Sequence, residues 1–267
     1  MKIGFIGTGN MGSALVKAAI KSVGGDSIYL ADANNEKARV LSDVLKANLS
    51  DNKYIAENCD YIFLGVKPQV LSNMLSEIKG FLKNRKDKVV LVSMAAGVKI
   101  EKIEKMADGR YPIIRIMPNM PVAIGEGMTL ICSNDLVSED NKNYFAELMK
   151  YSGKTDFIDE KLIDAASAVS GCGPAFCYMF LDSLADGGVE CGLPKDKALL
   201  YAMQTLIGSS KMLDETKEHP SKLKDMVTSP GGSTIKGVHA LEKGKFRASV
   251  IDAVCDSYKK TVELGKD

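Results

Sequence analysis

A glycine-rich string near the start of the chain carries the clearest chemical signal. Gly7-Thr8-Gly9-Asn10-Met11-Gly12 follows an apolar run that ends at Ile6 and precedes a helical pattern. In a turn from strand to helix, the first glycine permits the bend, the second lets backbone amides approach a pyrophosphate, and the third allows close packing. The alternative is an ordinary glycine-rich turn. The context predicts a dinucleotide site made of Ile6 and the whole string.

A carboxylate follows at the distance that such a site uses. Asp32 stands about 20 residues beyond Gly12, at the end of the next apolar run. There it would bind a ribose 2′-hydroxyl and repel a 2′-phosphate, which favours NADH. Asn34, Lys37 and Arg39 come next, and they either turn toward a phosphate or form the solvated start of a helix. The expected coenzyme is therefore NADPH or NADH.

A second string, late in the chain, has the groups to bind an anion. In Ser229-Pro230-Gly231-Gly232-Ser233-Thr234, two glycines let successive backbone N–H groups converge and the hydroxyls add donors. The helix expected to start near Thr234 offers its positive end. The alternative is a Ser/Thr-capped helix start after a Pro-Gly turn.

Composition excludes several other classes of protein. The six cysteines form no C-x-x-C pair and the chain has only two histidines, which argues against a zinc site. A net charge of +1 gives no reason to expect a nucleic-acid partner. The apolar run 89–98 is far shorter than the ~20 residues that cross a bilayer, and no secretory signal precedes the first strand. We expect a soluble cytoplasmic protein with no membrane partner.

The elements that must position these strings change in type along the chain. Up to about residue 160, short β-branched runs alternate with helical periods, which predicts a mainly parallel sheet with helices on both faces. Strands are expected at 2–6, 27–31, 61–66, 89–93, 113–117, 128–132 and 154–158, with helices at 11–23, 35–46, 70–82, 100–106 and 139–150. After residue 162 only helices are expected, at 175–185, 195–213, 222–226, 234–242 and 247–264.

The predicted fold class is α/β, with a Rossmann-type dinucleotide-binding domain at 1–160 and an all-helical domain at 161–267. Several helices of the second domain are rich in Ala, Met and Leu on more than one face. One chain offers too little surface to cover them, so burial against another subunit is expected. The second domain is therefore predicted to be a dimerisation domain.

Several longer strings are much more specific than the glycine loop. They are Val66-Lys67-Pro68-Gln69, Ser93-Met94-Ala95-Ala96-Gly97-Val98, Arg115-Ile116-Met117-Pro118-Asn119-Met120-Pro121, Ser170-Gly171-Cys172-Gly173-Pro174-Ala175 and Thr228-Ser229-Pro230-Gly231-Gly232-Ser233-Thr234-Ile235. In this order, and over essentially the whole chain, they resemble the pyrroline-5-carboxylate reductases. The resemblance implies reduction of L-1-pyrroline-5-carboxylate to L-proline with NAD(P)H, by homodimers that often assemble into a decamer of five dimers.

The same resemblance assigns residues to the site. It implies that the coenzyme is lined by Asn52, Val66, Lys67, Pro68, Ala95 and Ala96. It places Glu160 near the substrate ring and gives Ser229, Gly231, Gly232 and Ser233 to the substrate carboxylate. The Thr234 hydroxyl would lie beside the substrate nitrogen, where it either passes on a proton or only orients the ring.

Two other functions are consistent with the residues alone. One is a Rossmann dehydrogenase of a small hydroxy acid, which needs a firm general acid or base, and Lys211 is the candidate. The other is a regulator that binds a dinucleotide without catalysis. The intact string from Ser229 to Thr234 argues against that regulator.

Overall fold

The N-terminal part of the chain folds around a twisted sheet. In the computed structural model, which describes residues 1–265, the strands are β1 (Ile3–Ile6), β2 (Ile28–Ala31), β3 (Asn48–Leu49), β4 (Tyr61–Leu64), β5 (Val90–Ser93), β6 (Ile113–Pro118), β7 (Gly127–Ser133) and β8 (Gly153–Phe157). Their order is β3-β2-β1-β4-β5-β6-β7-β8. Strands β1 to β6 run parallel, whereas β7 pairs antiparallel with β6 and parallel with β8. The predicted mainly parallel sheet is confirmed.

Helices cover both faces of this sheet. They are α1 (Asn10–Val23), α2 (Asn35–Leu45), α3 (Asn52–Asn58), α4 (Pro68–Lys83), α5 (Ile100–Ala107), α6 (Glu139–Met149) and α7 (Glu160–Ser170). Side chains alternate along a strand, so Tyr61 and Phe63 of β4 pack with α1 and α6, while Ile62 and Leu64 pack with α3, α4 and α5. Two buried cores result, one on each face of the sheet.

The C-terminal part is helical throughout. Its helices are α8 (Gly173–Glu190), α9 (Lys195–Thr216), α10 (Pro220–Met226), α11 (Ser233–Lys243) and α12 (Phe246–Leu264). Its small core is formed by Ala185, Ala198 and Ala202 on α8 and α9. By contrast, Met179 and Ile251 are 72% and 61% exposed. None of the helices in residues 1–265 combines the length and apolar character needed to cross a membrane.

The chain divides into two compact units. The sheet unit contains Met1–Cys172 and the end of α12 from Ser257, and the helical unit contains Gly173–Asp256. This division follows from which residues contact one another. The boundary predicted from the sequence, at residue 160, instead separates the coenzyme-binding part of the chain from the dimerisation part. The functional boundary therefore stays a prediction.

Three elements of the sheet unit were not predicted from the sequence. The strand β3 has only two residues, and α3 and α7 carry few large apolar side chains. A capping signal was nevertheless readable for α3, because the Asp51 side chain accepts a hydrogen bond from the Tyr54 N–H. Small residues such as Ala166 and Ser167 dilute the helical period of α7, so the apolar spacing does not predict this helix.

Candidate functional site

The glycine loop joins β1 to α1, and packing fixes two of its glycines. Gly7 has φ +101°, and a Cβ there would lie 2.5 Å from the carbonyl oxygen of Gly65. A Cβ on Gly12 would lie 2.3 Å from the carbonyl oxygen of Gly7. Real side chains do not tolerate such distances, so the bend and the start of α1 require glycine at both positions.

Gly9 is different, because nothing in the protein crowds it. Its φ of −62° suits any residue, and a Cβ there would meet no atom within 4 Å. Gly9 is also the N-cap of α1, and no side chain in residues 1–265 caps this helix end. The positive end of α1 therefore faces an open cradle that a side chain would obstruct. The cradle fits the pyrophosphate of a dinucleotide.

A cavity of about 670 Å³ lies beside this loop, where β1, β2 and β4 end. It lies where the strand order reverses around β1, the position at which open parallel sheets bind ligands. The predicted coenzyme residues that line it are Ile6, Gly7, Gly9, Asp32, Asn52, Val66 and Lys67. The structure thus brings together residues that are up to 61 positions apart in the chain.

The other predicted coenzyme residues lie elsewhere around the loop. Thr8, Asn10 and Asn34 line an adjoining cavity of about 460 Å³, which shares Gly9 and Lys37 with the first. The residues that line neither cavity are Met11, Gly12, Pro68, Ala95 and Ala96. Their predicted contacts with a coenzyme stay predictions.

Several residues of the large cavity were missed from the sequence, among them two polar residues on α4. Asn73 and Glu77 stand four positions apart on α4 and both line the cavity. The Asn52 side chain donates a hydrogen bond to Glu77 Oε2 at 3.3 Å, which joins α3 to α4 at the wall. The two residues lie one turn apart on the same face of α4, but this helix carries other polar residues, so the sequence gives no specific signal for the pair.

Asp32 directly follows β2, and its carboxylate is held against the glycine loop. Oδ2 accepts hydrogen bonds from the Thr8 N–H at 2.6 Å and the Thr8 hydroxyl at 2.9 Å, and Oδ1 accepts one from the Asn34 N–H at 2.9 Å. Burial alone would raise the pKa of Asp32, but these hydrogen bonds together with the Lys37 charge hold it below its usual value. Asn34 in turn caps α2 by accepting from the Lys37 N–H, which is the helix-start role, one of the two alternatives for this residue.

Glu160, predicted beside the substrate ring, has partners within the sheet unit. Its Oε1 accepts a hydrogen bond from the Ile100 N–H at 2.8 Å and lies 3.2 Å from an Arg115 guanidinium nitrogen. Arg115 is fully buried and also pairs with Asp164 at 2.7 Å. These contacts tie α7 to α5 and β6. They give Glu160 a structural task, and its role beside a substrate stays a prediction.

The string from Ser229 to Thr234 forms a turn that leads into α11. The Gly232 N–H donates to the Ser229 carbonyl at 3.1 Å, and Gly231 has φ +70°, the pattern of a type II turn with Pro230 in its second position. Gly232 is the N-cap of α11, and in the described chain no side chain caps this helix end. The alternative interpretation, a Ser/Thr-capped helix start, is therefore not what residues 1–265 show. Exposed hydroxyls and uncapped N–H groups stand together at a positive helix end.

Known proteins match this chain along its full length. A curated relative from Arabidopsis thaliana, a pyrroline-5-carboxylate reductase, is 38% identical over 99% of this chain and 96% of its own. The enzyme of the same name from Escherichia coli strain K12 is 39% identical over 99% of this chain and 98% of its own. The chain belongs to the pyrroline-5-carboxylate reductase family.

The solved structures agree with the sequence relatives. The crystal structure of a Plasmodium falciparum pyrroline carboxylate reductase with NADP bound is 34% identical, has a TM-score of 0.87, and covers 99% of this chain and 98% of its own. Residues 160–264 match the family model for pyrroline-5-carboxylate reductase dimerisation. Residues 2–97 match a model described as NADP oxidoreductase, coenzyme F420-dependent. The predicted Rossmann-type domain and helical dimerisation domain are both confirmed.

Proposed function

We propose that this protein reduces L-1-pyrroline-5-carboxylate to L-proline with NADPH or NADH, the last step of proline biosynthesis. The observation that carries the proposal is the full-length match to reductases of this name in a plant and a bacterium. In the balanced reaction, the imine carbon gains a hydride, the ring nitrogen gains a proton, and the coenzyme is oxidised. The bound dihydronicotinamide supplies the hydride.

This reaction needs little acid–base catalysis by side chains. A protonated cyclic imine already accepts a hydride near neutral pH, so the protein must mainly hold and align its two ligands and exclude water. A hydroxy-acid dehydrogenase would instead need a firm acid or base such as Lys211.

The sheet unit holds the coenzyme in this proposal. The open cradle at Gly9 and the uncapped start of α1 receive the pyrophosphate. The cavity next to it, with Asp32 and Asn52 on its walls, receives the adenosine half. Lys67, an exposed cation on the same lining, offsets phosphate charge.

The helical unit binds the substrate carboxylate. The N–H groups of the first turn of α11, which follow the Gly231-Gly232 turn, and the Ser233 hydroxyl donate to the carboxylate oxygens, helped by the positive end of α11. The Thr234 hydroxyl, exposed in the first turn of α11 and without a hydrogen bond among the described residues, orients the ring nitrogen. A Thr hydroxyl is a weak acid, so orientation is its main role.

The active form is a homodimer, joined through the helical unit and able to assemble further into a decamer of five dimers. The family model that matches residues 160–264 describes a dimerisation domain, which supports the dimer. The decamer rests on the family resemblance alone. We propose that the enzyme works in the cytoplasm.

The test is an absorbance assay of coenzyme oxidation by the purified protein. Pyrroline-5-carboxylate should be reduced with at least one of NADH and NADPH, while a 3-oxo acid of similar size, the oxidised partner of a hydroxy acid, should give no oxidation. Turnover of the oxo acid that requires Lys211 would favour the hydroxy-acid dehydrogenase. Dinucleotide binding without turnover of either substrate would favour the regulator.

A further inference from the structure

We propose that Asp32 makes NADH, not NADPH, the preferred coenzyme of this enzyme. This inference rests on the proposed function, because it concerns the coenzyme of that same site. The two coenzymes differ by one phosphate on the 2′ position of the adenosine ribose. In Rossmann domains a carboxylate at the end of the second strand meets that position. Asp32 occupies it here, directly after β2.

The Asp32 carboxylate cannot turn away from an incoming phosphate at low cost. Its two oxygens accept three hydrogen bonds, two from Thr8 in the glycine loop and one from the Asn34 N–H. A rotation that moved the charge out of the cavity would break the bonds to the very loop that holds the pyrophosphate. The negative charge is therefore fixed relative to the bound dinucleotide.

The remaining hydrogen-bonding capacity of Asp32 suits a hydroxyl group. An ionised carboxylate only accepts, and it has about four acceptor positions. Three are in use, and the remaining one lies on Oδ1, which accepts only from Asn34. A ribose 2′-hydroxyl can donate to that oxygen, whereas a 2′-phosphate brings acceptors and negative charge to the same place. The low pKa of Asp32 keeps the carboxylate ionised at neutral pH.

The rest of the cavity lining does not reverse this preference. Its charged residues are three carboxylates and two amines, namely Asp32, Asp51, Glu77, Lys37 and Lys67. Lys37 already interacts electrostatically with Asp32. The negative charge of Asp32 partly cancels the positive charge of Lys37, so Lys37 attracts a phosphate less strongly than an unpaired cation would. The cavity lining as a whole therefore still disfavours an added negative charge.

Titration calorimetry with NADH and NADPH, in the absence of substrate, measures the preference directly. The wild-type protein should bind NADH at least about tenfold more tightly than NADPH. Asp32→Asn keeps the size and an acceptor for the Thr8 N–H but removes the charge. This variant should bind NADPH at least about tenfold more tightly than wild type does and leave NADH affinity within about threefold.

A matched control separates Asp32 from the general charge of the cavity. Asp51→Asn removes one negative charge from the same lining, and Asn is as good an N-cap for α3 as Asp. The ratio of NADH to NADPH affinity should change less than threefold in this control. An equal shift in both variants would overturn the proposal, because total charge would then set the preference.

The outcomes also separate this inference from the proposed function. If the wild-type protein binds NADPH as tightly as NADH, or more tightly, and also reduces pyrroline-5-carboxylate, the proposed role of Asp32 is wrong and the proposed function stands. Tighter NADH binding without any reduction supports Asp32 and overturns the function. If neither coenzyme binds, both proposals are wrong. Even if Asp32→Asn does not fold, wild-type binding of NADPH that equals or exceeds that of NADH overturns the proposal.

Discussion

Single glycines in the first loop are present for two distinct physical reasons. Gly7 and Gly12 are forced by the backbone, because any side chain would meet carbonyl oxygens of the protein itself. Gly9 has room for a side chain, so packing within the protein does not require glycine there, and its contact with the coenzyme stays a prediction. The sequence pattern assigns these three roles by analogy with known dinucleotide loops, and the structure adds the physical reason at Gly7 and Gly12.

Gly9→Val tests this distinction. The branched side chain would occupy the cradle at the start of α1, so coenzyme affinity should fall at least about a hundredfold while the melting temperature changes little. Gly80→Val is the control, because Gly80 on α4 also has open space around it but lies outside both cavities. Calorimetry should show wild-type binding in the control. Unchanged affinity in Gly9→Val would remove the loop from the coenzyme site.

Thr234 carries the most specific catalytic prediction. Thr234→Val keeps the shape and removes the hydroxyl, so kcat should fall ten- to a thousandfold, the loss of one transition-state hydrogen bond of roughly 1.5–4 kcal/mol. KM for the substrate should rise much less, because backbone N–H groups still bind the carboxylate. Thr234→Ser should recover most of the rate. Full turnover in Thr234→Val would leave the hydroxyl without a catalytic role.

Among the secondary-structure elements, α7 depends on one buried cation. Arg115 on β6 is fully buried and pairs with Glu160 and Asp164, and Glu160 also accepts from the N–H at the start of α5. Arg115→Met would leave two partly buried carboxylates without their cation. We expect it to lower the free energy of unfolding by about 2–4 kcal/mol. This loss is somewhat smaller than the loss expected for a fully buried ion pair, because both carboxylates remain partly exposed.

A lysine on the protein surface provides the comparison. Lys83 pairs with Asp108 at 2.6 Å, but the two side chains are 49% and 59% exposed. Lys83→Met removes the same kind of charge and should lower the free energy of unfolding by less than about 1 kcal/mol. Thermal melts of both variants measure the difference. Similar effects in the two variants would show that the Arg115 cluster does not anchor α7.

The sheet and most helices could be predicted because their signals are local. Apolar runs and three-to-four spacing give the long strands and helices, and a glycine string in strand-to-helix context gives the loop. Contacts such as Asn52 with Glu77 and Asp32 with Thr8 were not predictable, since they join segments 24 and 25 positions apart through tertiary packing. The choice between a Ser/Thr-capped helix start and an uncapped one at α11 also could not be made from the sequence, and in the structure Gly232 rather than a hydroxyl residue occupies the cap.

At the scale of the whole molecule, the exposed apolar side chains of the helical unit indicate that a second subunit is needed to cover them. In the helical unit, Tyr178, Met179 and Ile251 are exposed, whereas the buried core there consists of three alanines. Such apolar surface is stable in water only when another subunit covers it. The family dimerisation model over residues 160–264 accounts for this surface.

Light scattering after size exclusion tests the assembly. The protein should elute as a dimer or a multiple of dimers down to sub-micromolar concentration, because an obligate interface buries a large apolar area. Met179→Lys should shift the equilibrium toward monomer, and Lys83→Met should not. A stable wild-type monomer of about 29 kDa at that concentration would contradict the account.

The transfer of deuterium from coenzyme to product tests the central claim most directly. NADH carrying deuterium at the transferable C4 position is incubated with the protein and pyrroline-5-carboxylate, and proline is analysed by mass spectrometry and NMR. The account predicts proline with one deuterium, located on the ring carbon that belonged to the imine, and one coenzyme oxidised per proline formed. Proline without deuterium, or no proline from a protein that binds NADH, would contradict it.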